Sequence, residues 1–180
     1  MTKVLIGALL LVAATLASAA ELRNVMVVGV TDGDTITVRD EKQNYKVRLA
    51  GIDAPEKGQP FDKRAHQYLS NLAQEKQAIV DCFKTDEDKR KVCRVWVGGN
   101  DIALTQVQAG LAWHFKQFEK EQTARERVAY AQAEDGARLR KRGIWSMAEP
   151  VPPWEWRQRK REKQEQGSKG SGLVSCMTEV

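Results

Sequence analysis

Between Thr31 and Glu56 the chain places four charged residues where ordinary folding rules would not put them. Asp34 sits between a glycine turn and a β-branched run, Arg48 interrupts an apolar strand pattern, and Asp53 and Glu56 bracket Ala54-Pro55 just after that strand. Loop carboxylates with an arginine among them suit a hard cation held beside a phosphate. Oxygen ligands are what calcium and magnesium take, and a guanidinium matches phosphate oxygens two at a time. Each residue alone has a bland explanation, since Asp beside Gly usually closes a turn and loop acids are usually solvated. Their joint occurrence carries the chemistry.

Such a group needs a frame. Asn24 to Val30 is apolar and β-branched, Thr31-Asp32-Gly33-Asp34 is turn chemistry, and Thr35 to Val38 is a short strand pattern. After a second polar turn, Tyr45 to Leu49 alternates, with Tyr45, Val47 and Leu49 on one face and Lys46 and Arg48 on the other. These three strands read as a meander. Gly51 to Pro60 is a loop, and a helix from Phe61 or Asp62 to Lys76 carries the apolar stripe Ala65, Tyr68, Leu69 and Leu72. Strands at Ala78 to Phe83 and Val92 to Val97 flank the charged turn Lys84 to Lys91. Ile102, Leu104, Val107 and Leu111 then fit a short helix stopped by Gly110, and a longer one runs from about Glu121 to Arg142 with Tyr130, Ala133 and Ala137 inward. Five short strands in two groups, with a helix after the third, predict an α+β fold: a small five-stranded Greek-key barrel with about three packed helices.

The chain has 180 residues, 42% of them hydrophobic, enough for one buried core. Its net charge of +5 suits an anionic partner, although 29 basic and 24 acidic residues leave much of that charge as ordinary surface. Residues 1–19 read as an export signal: Lys3, an apolar run from Val4 to Leu16, and the small residues Ala17-Ser18-Ala19, with cleavage after Ala19 or Ala20. The mature protein is then expected in a periplasm or outside the cell, with no membrane anchor, as a monomer. Residues 20–149 form the expected domain, 150–163 a Pro/Trp segment with a basic extension, and 164–180 a flexible Gly/Ser-rich tail. Cys82 and Cys93 either bridge a hairpin or stay as buried thiols, and Cys176 is left over. Their spacing excludes an ordinary zinc site.

Several motifs occur in a telling order: Asp32-Gly33-Asp34-Thr35, Val47-Arg48-Leu49, Gly51-Ile52-Asp53-Ala54-Pro55-Glu56, Lys89-Arg90, Ala109-Gly110-Leu111-Ala112 and Gly143-Ile144-Trp145. From about Val25 to Trp145 the chain resembles the bacterial thermonucleases of the staphylococcal-nuclease type. That resemblance implies an OB-fold barrel, calcium dependence, and hydrolysis of phosphodiester bonds in DNA and RNA. Position by position, it implies that Asp34 and Asp53 are carboxylate ligands of Ca2+ and that Ala54 offers a backbone carbonyl. Glu56 corresponds to the acid that orients or deprotonates the attacking water, and Arg48 and Arg90 to the two arginines that grip the phosphate. Lys89, Lys91 and Arg94 stand close to Arg90 as alternatives.

The chain also departs from the pattern. Asp88 and Lys116 stand near aromatic positions of the family, and Phe115 and Phe118 either restore a stacking surface or belong to the core. His66 and His114 read as packed or surface residues rather than catalytic ones. Trp154 and Trp156 either stack bases or clamp the tail, and Arg157 to Lys163 either contacts phosphates or keeps the tail soluble. The competing reading of the whole chain is a catalytically inactive OB-fold module that binds nucleic acid without cleaving it, with a role as a plasmid-transfer accessory as one form of that reading.

Overall fold

The computed structural model describes residues 22–174, and side chains up to residue 166. The expected signal at 1–19 and Cys176 lie outside the described residues. β1 (Arg23–Val30), β2 (Thr35–Arg39) and β3 (Asn44–Leu49) form the expected antiparallel meander, with Thr35 opposite Arg48 and Ile36 opposite Val47. Alternation decides which side chains turn inward: Val25, Val27, Ile36, Val38, Val47 and Leu49 are all buried. The short β4 (Ile52–Asp53) and the loop after it lead to α1 (Asp62–Ala73), which buries Ala65, Leu69 and Ala73.

β5 (Gln77–Thr85) and β6 (Lys91–Val97) form the second hairpin, followed by β7 (Asn100–Asp101), α2 (Ile102–Gln108) and β8 (Trp113–His114). The sheet runs β3-β2-β1-β5-β6-β7, and a parallel pairing of β3 with β6 closes it, Leu49 lying opposite Cys93. β1, β2, β3, β5 and β6 therefore make a closed five-stranded barrel within an α+β fold, as the element layout predicts, and it is the OB-fold that the resemblance implies. Closure leaves these strands without an open edge. Cys82 and Cys93 face each other across β5 and β6 and are joined as a disulfide.

α3 (Ala124–Leu139) begins three residues later than the expected start at Glu121. Lys116–Glu121 is instead a 3-10 turn, and Thr123 caps α3 reciprocally with Glu126: the Glu126 amide donates to Thr123 Oγ1 at 3.2 Å and the Thr123 amide to Glu126 Oε2 at 2.6 Å. The Thr-x-x-Glu capping signal outweighs apolar periodicity in fixing this boundary. Gly110, which is buried, and Gly143, which is half-buried, explain two of the motifs. Both have positive φ, and the loops carrying them cross so closely that a Cβ on Gly143 would lie 2.0 Å from the Gly110 carbonyl oxygen.

The segment expected to be a flexible tail from 164 continues a helix as far as Val174, and residues 175–180 lie outside the described residues. α4 (Pro153–Val174) is a fourth helix, opened by Pro153 at its first position. Pairs one turn apart line its side: Glu155 with Arg159 at 3.3 Å and Gln158 with Glu162 at 3.0 Å. The run of Arg, Lys, Glu and Gln that looked like a solubilising extension consists of strong helix formers. None of the described helices is long and apolar enough to cross a membrane.

Candidate active site

The β2–β3 pairing brings the two ends of the Thr31–Glu56 stretch together. Asp34 precedes β2, and the Leu49 amide donates to its carbonyl at 2.8 Å. Gly33 lets this turn settle on its neighbours, since a Cβ there would lie 2.7 Å from both Ala54 Cβ and Ala65 Cβ. Gln106, on α2 and fully buried, holds the same turn by donating to the Gly33 carbonyl at 2.7 Å and to the Ala65 carbonyl at 3.1 Å.

Arg48 is the hub. Its Nη1 donates to Asp34 Oδ1 at 2.6 Å, and its Nη2 to Asp53 Oδ1 at 2.9 Å and to the Ile52 carbonyl at 3.3 Å. Asp34 also accepts the Ala54 amide on Oδ2 at 2.8 Å and the Thr35 hydroxyl on Oδ1 at 3.1 Å. Asp53 is held in place by the pairing of β4 with β8, where it lies opposite Trp113. Asp34, Arg48, Asp53 and Ala54 thus converge, with Asp34 and Asp53 almost wholly buried.

Burying several acids together has an electrostatic cost. Burial pushes the Asp53 carboxyl up, as does the charge of Asp34, while Arg157 and Arg48 oppose the shift. Asp32, whose Oδ1 accepts the Asp34 amide at 3.0 Å, is raised to about 6 by burial and by Asp34. Burial disfavours the charge on Arg48 too, yet Asp34 and Asp53 hold its proton more firmly than in water. The pocket is crowded with negative charge and offers only oxygen donors, which is the chemistry a hard divalent cation requires. Among the described residues the acids make no cluster of three or more arranged as a metal centre, so the remaining ligands of such a cation would be backbone and water oxygens.

Glu56 stands at the rim. Its amide donates to Gln59 Oε1 at 3.0 Å, and its carboxylate accepts Arg157 Nη1 at 2.5 Å. Arg90 lines the same cleft of about 690 Å³ as Arg48, Glu56 and Arg157. It does not touch them: its guanidinium pairs with Asp86 at 2.8 Å and with Asp88 at 2.9 Å. Among the nearby basic residues, Arg94 is committed elsewhere, to Glu126 and Asp81.

The stacking surface is divided. Phe118 remains partly exposed, with Lys84 over its ring at 4.3 Å, whereas Phe115 stacks on Trp154 with centroids 5.3 Å apart. Lys116 pairs with Glu134 at 3.5 Å. His114 is buried against Gln122, His66 approaches the Val30 carbonyl, and neither lines the cleft.

Sequence reasoning missed three residues here. Asp32 lies inside the Asp32-Gly33-Asp34-Thr35 motif but was given no role, and neither was Gln106 on the short helix. Arg157 was read as part of a basic extension, although its spacing of three from Trp154 on a helix would have placed both on one face.

A family model described as "Staphylococcal nuclease homologue" matches residues 46–147. The chain belongs to the staphylococcal nuclease family. Its relatives include an uncharacterized endonuclease of Escherichia coli O157:H7, 37% identical over 135 residues, covering 74% of this chain and 84% of that protein. An uncharacterized endonuclease of Haemophilus influenzae is 32% identical over 161 residues, covering 88% and 87% of the two chains. A micrococcal nuclease of Shigella flexneri is 36% identical over 140 residues, covering 73% and 78%. As a staphylococcal nuclease homologue the protein is a phosphodiester hydrolase, and its substrate is nucleic acid. Arg48, Asp53, Glu56 and Arg90 lie within the matched segment, while Asp34 precedes it and α4 follows it.

Proposed function

We propose that this nuclease is an exported, calcium-dependent, monomeric enzyme that cuts DNA and RNA internally with low sequence specificity. The observation that carries the reading is the convergence of Asp34, Arg48 and Asp53, with Glu56 at the rim of the same cleft. Asp34, Asp53 and the Ala54 carbonyl are the proposed ligands of calcium, which when bound would draw electron density from a phosphate oxygen and lower the pKa of a coordinated water.

The protein's own residues do the rest. Attack by water adds negative charge at phosphorus, and Arg48 and Arg90 bind the pentacoordinate state more tightly than the diester because a fork of two N–H groups meets two oxygens. Glu56 accepts a hydrogen bond from the attacking water and either holds it in line or takes its proton. Low specificity fits a site built from phosphate contacts, which position a strand without reading bases.

Two independent features support export: the three-part pattern of residues 1–19, and the Cys82–Cys93 bridge, since stable disulfides belong to oxidising compartments. N-terminal sequencing of protein recovered from the producing cell tests this, with Ala20 or Glu21 expected first. Incubation with single-stranded DNA or RNA and calcium, with and without chelator, tests the activity. Internal cleavage of both polymers that stops on chelation is expected, and binding without cleavage would contradict the reading.

A further inference from the structure

The segment after Trp145 packs beside the cleft and is anchored at three points before Arg157 enters it. Gln59, nearly fully buried, donates through Nε2 to the Val151 carbonyl at 2.7 Å, while its Oε1 holds the Glu56 amide. Pro153 is buried, and Trp154 stacks on Phe115. One turn further along α4, Arg157 reaches into the site. Its Nη2 donates to Asp53 Oδ2 at 2.8 Å, and its Nη1 to Asp53 Oδ1 at 3.2 Å and to Glu56 Oε1 at 2.5 Å.

Asp34 Oδ1 is taken by Arg48 and Thr35, Asp34 Oδ2 by the Ala54 amide, and Asp53 Oδ1 by Arg48. Asp53 Oδ2 is bonded by Arg157. A hard cation approaching this pair through Asp53 Oδ2 meets a guanidinium already on that oxygen, whose charge repels a second positive charge a few ångströms away. The same guanidinium occupies Glu56, so a water at that oxygen has to displace it.

We propose that the Pro150–Arg157 strap and α4 form an autoinhibitory plug, with Arg157 competing with the divalent cation for Asp53 and with the attacking water for Glu56. The cleft works only with Arg157 withdrawn. The plug lies beyond residues 46–147, the part matched by the family model. The inference rests on Asp34 and Asp53 being cation ligands.

The test is a calorimetric titration of calcium, without nucleic acid, into the full mature protein and its Arg157→Ala variant, with thermal melts confirming that both are folded. If the docked strap dominates the free protein, removing its charge tightens calcium binding by about tenfold, because apparent affinity scales with the fraction of competent molecules. The half-saturating calcium for cleavage should fall by the same factor. Trp154→Ala, which loosens the strap without touching a carboxylate, should shift calcium binding the same way. Equal calcium affinity in wild type and Arg157→Ala overturns the plug, as does a variant whose only change is a raised KM for nucleic acid, which would make Arg157 a substrate grip. If neither protein binds calcium, the cation-site reading fails and the plug fails with it.

Discussion

At the scale of single residues, the site depends on geometry that near substitutions do not reproduce. Arg48 spans Asp34 and Asp53 with two separate nitrogens, and a lysine ammonium cannot hold both carboxylates and also fork onto a phosphate. Arg48→Lys should lower the single-turnover cleavage rate by roughly a hundredfold or more, the scale seen when one transition-state donor is lost. A rate within threefold of wild type would remove Arg48 from the reaction. Gly33 is constrained by space: a Cβ 2.7 Å from Ala54 and Ala65 has nowhere to go. Gly33→Ala should destabilise the fold by about 1–3 kcal/mol, measured by urea unfolding, because the turn and α1 must separate. Asp34, Arg48, Asp53 and Glu56 stood out in the sequence as a group in one short stretch, and the roles expected of them came from the family resemblance. Gln106 did not stand out. Its role depends on α2 packing beside a turn 73 residues earlier, which no local spacing encodes.

At the scale of elements, the strands were easier to place than the helix ends. Alternating burial located β1, β2, β3, β5 and β6 to within two residues, whereas the α3 boundary depended on Thr123 capping with Glu126 and the α4 helix on charged residues of high propensity. Glu126 also ties α3 to the barrel through Arg94, with Nε to Oε1 at 2.6 Å. Burial raises the Glu126 carboxyl, but the Arg94 and Thr123 hydrogen bonds prevail and hold it below its ordinary 4.5. A depressed carboxylate pKa stabilises the fold above the unfolded value and loses that effect as pH falls through the folded one. Wild type should therefore exceed Glu126→Gln in urea stability at pH 7, with the gap closing below about pH 4.5. A gap independent of pH would show that the ion pair is not its source.

At the scale of the whole molecule, a closed barrel carries the Thr31–Glu56 stretch, and α4 reaches it through Arg157. The hairpin opposite β3 is bridged by Cys82 and Cys93, a pairing the sequence left open because strand register decides it. For so short a loop, reduction should cost about 2–3 kcal/mol, seen as a lower melting temperature in reductant, with the barrel still folded. The family resemblance was legible over most of the mature chain because its motifs sit on the barrel. The docking of α4 was not, because it depends on a tertiary contact between Arg157 and residues about a hundred positions earlier. We propose that Glu56 acts on water in a cleft where Asp34 and Asp53 hold calcium and Arg48 and Arg90 hold phosphate. The most direct test is single-turnover cleavage of single-stranded DNA by wild type and Glu56→Gln at saturating calcium, with DNA affinity measured alongside. The expected result is chelator-sensitive cleavage by wild type, a loss of about a hundredfold or more in rate for the variant, and unchanged DNA binding. Equal rates for the two proteins, or cleavage that persists without a divalent metal, would contradict the account.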